Sequence, residues 1–256
     1  MTKRAEKLLL LKQADIYRGP LILVNVGYPV RSGGFPLSKG LTEVSEEWPE
    51  ILLEARAAAL LRELICRSGG WKEICPVSGY RTRREQVEIW EGSFRENGEA
   101  YTRKYVARPD CSEHQTGLAV DLAKRAETID FICPDFPDEG VCAELRRLAP
   151  GCGFIERYPK EKQKLTGIGW EPWHFRYVGY PHSVIMKERG FCLEEYIRFL
   201  SDYPAENPLI WRDSQREFEI FHVPAKGRFT PLKAPETGVV LVSGNNVDGF
   251  IVTIWR

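Results

Sequence analysis

Scarcity narrows the function of this chain before any motif is considered. No apolar run approaches the roughly 20 residues needed to cross a bilayer. The leucines Leu8 to Leu11 stop at Lys12, short of the roughly 7 to 15 apolar residues of a signal-peptide core. Neither charge sign is in excess, with 36 basic and 36 acidic residues, so a polyanion such as nucleic acid or an anionic membrane is not the expected partner. The seven cysteines are odd in number and without C-x-x-C spacing, which argues against both a disulfide framework and a thiolate zinc site. No serine has a lysine three residues after it, which excludes a Ser-x-x-Lys acylating nucleophile. The expected compartment is the cytoplasm, with small or neutral target molecules.

Histidine is scarce too, four in 256 residues, and two of the four stand in short stretches rich in carboxylates. The first stretch runs Ser112-Glu113-His114-Gln115-Thr116-Gly117-Leu118-Ala119-Val120-Asp121, and the second Glu171-Pro172-Trp173-His174-Phe175. A catalytic zinc is commonly held by three protein ligands from His and Asp/Glu, with a fourth position left for water or substrate. His114, Asp121 and His174 supply three such ligands. Each alone is weak evidence, since a single His beside apolar residues is more often a satisfied core residue. Jointly they differ: Asp121 closes the apolar run Leu118-Ala119-Val120 and His174 opens another, so adjacent strands can present the ligands on one sheet face. Glu171, three residues before His174, is too close along an extended segment for an independent ligand but can reach an activated water as general base.

Further segments complete a resemblance. Ser78-Gly79-Tyr80-Arg81-Thr82, Gln86, the stretch from Ser112 to Asp121, Gly153-Phe154-Ile155, Arg157-Tyr158-Pro159, Thr166-Gly167-Ile168 and Glu171 to Gly179 closely resemble the VanY and VanXY zinc D,D-peptidases over about residues 45–200. The resemblance implies one zinc ion held by His114, Asp121 and His174, with Glu171 as catalytic base and Arg81 polarising the scissile carbonyl. It also implies that Ser112 binds the substrate's terminal carboxylate and places Tyr158 near the site. The expected substrates are small peptides ending in D-Ala: the dipeptide D-Ala-D-Ala and peptidoglycan precursors, whose depletion underlies vancomycin resistance.

The residues themselves support parts of this. A guanidinium is permanently charged and presents forked donors, so Arg81 at a strand-to-helix junction suits an oxygen that gains charge during attack. Gln86, one turn later, can face the same cleft and donate to a peptide group. For Ser112 a turn or capping role competes with carboxylate binding. Ser78 is counted with the substrate-binding residues, although a small hydroxyl there offers no anionic partner for a free ammonium. Gly151-Cys152-Gly153 has Glu156 where a dinucleotide fingerprint needs its third glycine, so no nucleotide cofactor is inferred.

The fold expected is α+β, with a mainly antiparallel sheet carrying the zinc site, flanking helices as in the Hedgehog and D,D-peptidase folds, and a small C-terminal β module. The boundary falls at the Pro204 to Pro208 linker, giving a peptidase domain over 1–203 and the module over 204–256. Leu21 to Val26 reads as a short strand followed by a turn-rich segment from Tyr28 to Gly40. Glu46 to Cys66 reads as a helix stopped at Gly69-Gly70, and Arg83 to Glu96 as a helix ending at Asn97-Gly98. Lys124 to Asp138 reads as a loop near the cleft. Strands are expected over 217–223, 238–243 and 250–255, the last two as a hairpin. Two other functions remain open: an L,D-carboxypeptidase of cell-wall peptides, and a non-catalytic binding module like the zinc fold in Hedgehog. Oligomeric state is not indicated.

Overall fold

Leu8 to Leu11 lie in a strand, β1 (Glu6–Lys12), in the computed structural model, which describes residues 5–31 and 40–256. Its partner comes late in the chain, and the chain divides accordingly into two units. Among the described residues, one gathers 5–23, 31 and 193–256, the other 24–30 and 40–192. This division differs from a simple cut at 203, because the N-terminal strand belongs with the C-terminal strands. Most of the Tyr28 to Gly40 segment lies outside the described residues.

The larger unit begins with a hairpin of β2 (Leu41–Ser45) and β3 (Trp48–Glu54). Helix α1 (Ala55–Arg67) follows directly. The expected helix over 46–66 therefore starts nine residues late. Pro49 is tolerated because the hairpin is only two-stranded and leaves edge positions open. The true start is capped by Glu54, whose carboxylate accepts from the backbone N–H groups of Arg56 and Ala57, satisfying two donors that have no partner within the helix. Ala57, Ala58, Leu61, Leu64 and Ile65 form the buried face of α1.

A four-stranded antiparallel sheet then forms in the order β4 (Ile74–Ser78), β5 (Ala119–Lys124), β7 (Glu171–Tyr177), β6 (Phe154–Tyr158). Between β4 and β5 runs α2 (Arg83–Tyr105). Thr82 and Glu85 cap each other's backbone N–H groups at its start. The first helical stretch ends at Gly98, as the Asn97-Gly98 pair implies. That residue takes φ 79 and ψ 172, and the chain resumes a helical path to Tyr105. Helix α3 (Gly140–Leu148) precedes β6, and the single turn α4 (Gln163–Thr166) precedes β7. Helix α5 (His182–Arg189) closes the unit. The strands are almost wholly buried, with Ala119 to Ala123 and Phe175 to Val178 at most 5% exposed.

The smaller unit contains α6 (Leu193–Leu200), whose Leu193, Tyr196, Ile197 and Leu200 are buried as their spacing predicts. Its strands are β8 (Leu209–Arg212), β9 (Glu217–Pro224), β10 (Phe229–Pro235), β11 (Val239–Gly244) and β12 (Gly249–Trp255). They make an antiparallel sheet in the order β11, β12, β9, β8, and β10 pairs instead with β1. The expected hairpin over 238–255 is β11 with β12. Phe221, Leu232, Val252 and Ile254 pack as its apolar core. Leu21 to Leu23 form no strand. They are buried, and Leu21 N–H donates to Ser243 Oγ while Leu23 N–H donates to the Asn245 carbonyl. The apolar run instead ends in a tight turn, where the Asn25 side chain accepts from Gly27 and Tyr28 N–H.

Candidate metal centre and active site

The stretch from Ser112 to Gly117 enters β5 through a single 3-10 turn, Glu113–Thr116. Thr116 Oγ1 donates to the Glu113 carbonyl at 2.6 Å and accepts from Leu118 N–H. Gly117 has φ 69, and a Cβ there would stand 2.8 Å from Leu41 and 3.2 Å from the Glu54 nitrogen. Only glycine fits, because the left-handed backbone costs other residues about 1–2 kcal/mol and the hairpin β2–β3 lies against it. The Gly117 carbonyl in turn accepts from Glu54 N–H at 2.8 Å. The turn is thus fixed at both ends.

This fixing brings His114 to Asp121. His114 Nε2 lies 3.1 Å from Asp121 Oδ2, and its Nδ1 lies 2.7 Å from the Gly79 carbonyl oxygen. Asp121 and His174 are directly opposed in the β5–β7 register, with Oδ1 3.0 Å from Nδ1. The three are buried, and their potential ligand atoms lie within 4.8 Å of one another, the one such group found among the described residues. His114 thus stands in the turn before β5, as its polar, Gly-containing surroundings imply.

His174 Nδ1 and His114 Nε2 lie 3.0 and 3.1 Å from the two different oxygens of Asp121, and one donor atom from each residue lies within 4.8 Å of the others, so the trio surrounds a space of the size that an ion with ligand bonds of about 2.0 to 2.1 Å takes up. The donor set, two imidazoles and one carboxylate, matches zinc chemistry. A carbonyl oxygen on His114 Nδ1 leaves its Nε2 lone pair for a metal. These residues therefore fit a bound zinc ion.

Electrostatics agree on neutral His114: burial and then the Arg81 charge push it down to about 4. Burial alone would raise the Asp121 carboxyl, but the neighbouring His114 and His174 outweigh it and hold the group below the usual carboxylate range. His174 is pushed up to about 9, its burial outweighed by the neighbouring Asp121 and Glu113 carboxylates. Glu171 is pushed up to about 8, chiefly by burial, with His174 opposing. A carboxyl so placed can exchange protons near neutral pH.

Glu171 opens β7 opposite Tyr158, and its Oε2 lies 3.7 Å from His174 Nδ1. Arg81 sits just before α2, its N–H donating to the His114 carbonyl at 3.2 Å. Its Nη1 donates to Gln86 Oε1 at 3.2 Å, its Nη2 lies 3.4 Å from Asp121 Oδ2, and its buried Nε has no partner. A guanidinium oriented on two sides thus keeps one unsatisfied N–H.

Arg81, Gln86, Ser112, Tyr158, Glu171 and Trp173 line one cleft with His114, Asp121 and His174. The Tyr158 ring packs 4.8 Å from the His174 ring. Gln86 is placed differently from the expectation of a free peptide-binding amide: its Nε2 donates to the Ala107 carbonyl and its Oε1 accepts from Arg81. Ser78 is a clearer correction. It is buried in β4 opposite Asp121 and is not among the described residues lining the cleft. Phe131 and Ile132 of the 124–138 loop do reach the cleft. Trp173, Tyr105 and Glu113 also line it and were not singled out from sequence. For Glu113 the available signal was charge: Arg157 and Arg176 stand beside aromatic residues in two short strands, and charges buried there require a buried partner.

A buried His-Asp-His trio beside a carboxyl and an arginine in a cleft is the equipment of single-metal hydrolases. The family model for VanY, D-alanyl-D-alanine carboxypeptidase, matches residues 50–180. The bifunctional D-Ala-D-Ala dipeptidase and D-Ala-D-Ala carboxypeptidase VanXYC of Enterococcus gallinarum is 42% identical over 182 residues, covering 71% of this chain and 95% of that protein. Among solved structures, the vancomycin resistance D,D-dipeptidase VanXYg, in complex with a D-Ala-D-Ala phosphinate analog, matches with a TM-score of 0.96 at 49% identity, over 98% of this chain and 100% of that one. A vancomycin resistance D,D-pentapeptidase, VanY, in complex with Zn(II), matches with a TM-score of 0.55 at 30% identity, over 70% of this chain and 98% of that one. The chain belongs to the VanY family of D-alanyl-D-alanine carboxypeptidases, and it is an enzyme of the peptidase class.

Proposed function

We propose that this chain is a zinc-dependent D,D-peptidase that hydrolyses the dipeptide D-Ala-D-Ala and removes the terminal D-Ala of peptidoglycan precursors, as in vancomycin resistance. The observation that carries the reading is the buried convergence of His114, Asp121 and His174 with Glu171 at its edge. Similarity to a bifunctional dipeptidase and carboxypeptidase supports both substrates. A cytoplasmic site of action accords with seven cysteines that form no disulfide. No helix among the described residues is long and apolar enough to cross a membrane.

His114 through Nε2, Asp121 through a carboxylate oxygen and His174 through Nδ1 would hold one zinc ion. An ion held there would supply Lewis acidity and make a nearby water easier to deprotonate. Glu171 takes a proton from the attacking water and later gives it to the leaving amine. Arg81, held by Gln86 on one side and Asp121 on the other, directs its remaining N–H groups at the oxygen that gains charge. Ser112 accommodates the substrate's terminal carboxylate, and Tyr158 and Trp173 wall the cleft.

Substrate stereochemistry tests the reading. Purified protein offered D-Ala-D-Ala, a pentapeptide ending in D-Ala-D-Ala and a tetrapeptide ending in L-Lys-D-Ala should cleave the first two. Preference for the third would make it an L,D-carboxypeptidase.

A further inference from the structure

Glu113 is only 1% exposed and takes no part in the chemistry above, although it adjoins the metal-ligand trio. Its Oε1 accepts from Arg157 Nε at 2.8 Å and lies 2.7 Å from Arg176 Nη1, and both arginines are fully buried. Its Oε2 points the other way, at Nε2 of His174, 3.5 Å distant. Neither of these two buried atoms makes a hydrogen bond of normal geometry. Two orphaned polar atoms thus face one another at the edge of bonding distance.

A buried ionic cluster is a poor source of stability, since desolvation offsets much of the Coulomb attraction. Its geometry suits another task. An imidazole has two nitrogens, and which one binds a metal is set by the partner of the other. For His114 that partner is the Gly79 carbonyl at Nδ1. For His174, whose Nδ1 faces Asp121, the group at the far nitrogen is Glu113. The arginine pair comes from neighbouring strands, Arg157 on β6 and Arg176 on β7, so it fixes the carboxylate to the sheet that carries His174.

We propose that Glu113, clamped by Arg157 and Arg176, is a positioning residue that accepts the Nε2 proton of His174 and so commits Nδ1 to the metal. The two histidines then bind through opposite ring nitrogens, His114 through Nε2 and His174 through Nδ1. The inference rests on the metal-centre reading above.

Two measurements test it. In zinc-loaded wild-type protein labelled with 15N-histidine, NMR should find His174 metallated at Nδ1 with a protected Nε2 proton, and His114 the reverse. In chelator competition, Glu113→Gln and Glu113→Asp should bind zinc about 10- to 100-fold more weakly, the range typical of losing such an outer partner. Glu113→Asp keeps the charge for the arginines but withdraws it from His174, so its metal-free melting temperature should fall less than that of Glu113→Gln while its zinc affinity still drops. Metallation of His174 through Nε2, or unchanged zinc affinity in both variants, would overturn the role of Glu113 while leaving the metal centre intact. Wild-type protein that takes up no zinc would overturn the metal centre and this role together. If neither variant folds, the wild-type spectrum decides.

Discussion

Asp121 Oδ1 stands 3.0 Å from His174 Nδ1, whereas Glu171 Oε2 stands 3.7 Å from the same nitrogen. The two carboxylates therefore divide the work. Asp121 also touches His114 and lies within the ligand trio. Glu171 borders it, buried and with its carboxyl pushed up to about 8.

Replacing Glu171 with Ala should accordingly leave zinc bound, because the trio is intact. It should cost about 10² to 10⁴ in kcat, the usual worth of a positioned proton-transfer group. Metal analysis with steady-state kinetics checks this. Loss of zinc would make Glu171 a ligand, and wild-type turnover would remove it from the mechanism.

Arg81 offers a sharper comparison. Arg81→Ala should lower kcat/KM by about 10²- to 10³-fold, as expected for one oxyanion donor, with zinc content unchanged. Arg81→Lys keeps the charge but cannot bond Gln86 and Asp121 together through one planar fork. It should recover only part of the loss. Full recovery in the lysine variant would reduce Arg81 to a point charge.

His182 predicts how the fold responds to acid. Burial pushes it down to about 3 from an ordinary 6.5. Between those values the unfolded chain binds a proton that the folded chain refuses, so stability is full above about pH 6.5 and falls as pH drops toward 3. The slope from this group is about 1.4 kcal/mol per pH unit. Denaturant melts from pH 7 to 4 should show a shallower decline in His182→Asn than in the wild type, and equal slopes would contradict the assignment.

The convergence of His114, Asp121 and His174 was legible because the three stand in two short motifs, carried by β5 with the turn before it and by β7. What escaped was set by distant partners. Trp48 to Glu54 took a strand because Leu41 to Ser45 lies alongside, and a window of Leu, Glu and Ala cannot reveal that neighbour. Leu21 to Leu23 looked like a strand but bonds to Ser243 and Asn245 more than 200 residues away. The pairing of Glu6–Lys12 with Phe229–Pro235 is equally non-local. Proximity along the chain to Arg81 does not reveal that the Gln86 amide is taken by the Ala107 carbonyl, 21 residues away.

The most direct measurement is hydrolysis of D-Ala-D-Ala by the purified wild-type protein, untreated, after chelation, after zinc readdition, and in the presence of a β-lactam. Activity that disappears with the chelator, returns with zinc and ignores the β-lactam is the predicted result, since no Ser-x-x-Lys motif is present to be acylated. Activity that survives complete metal removal would contradict the account at its centre.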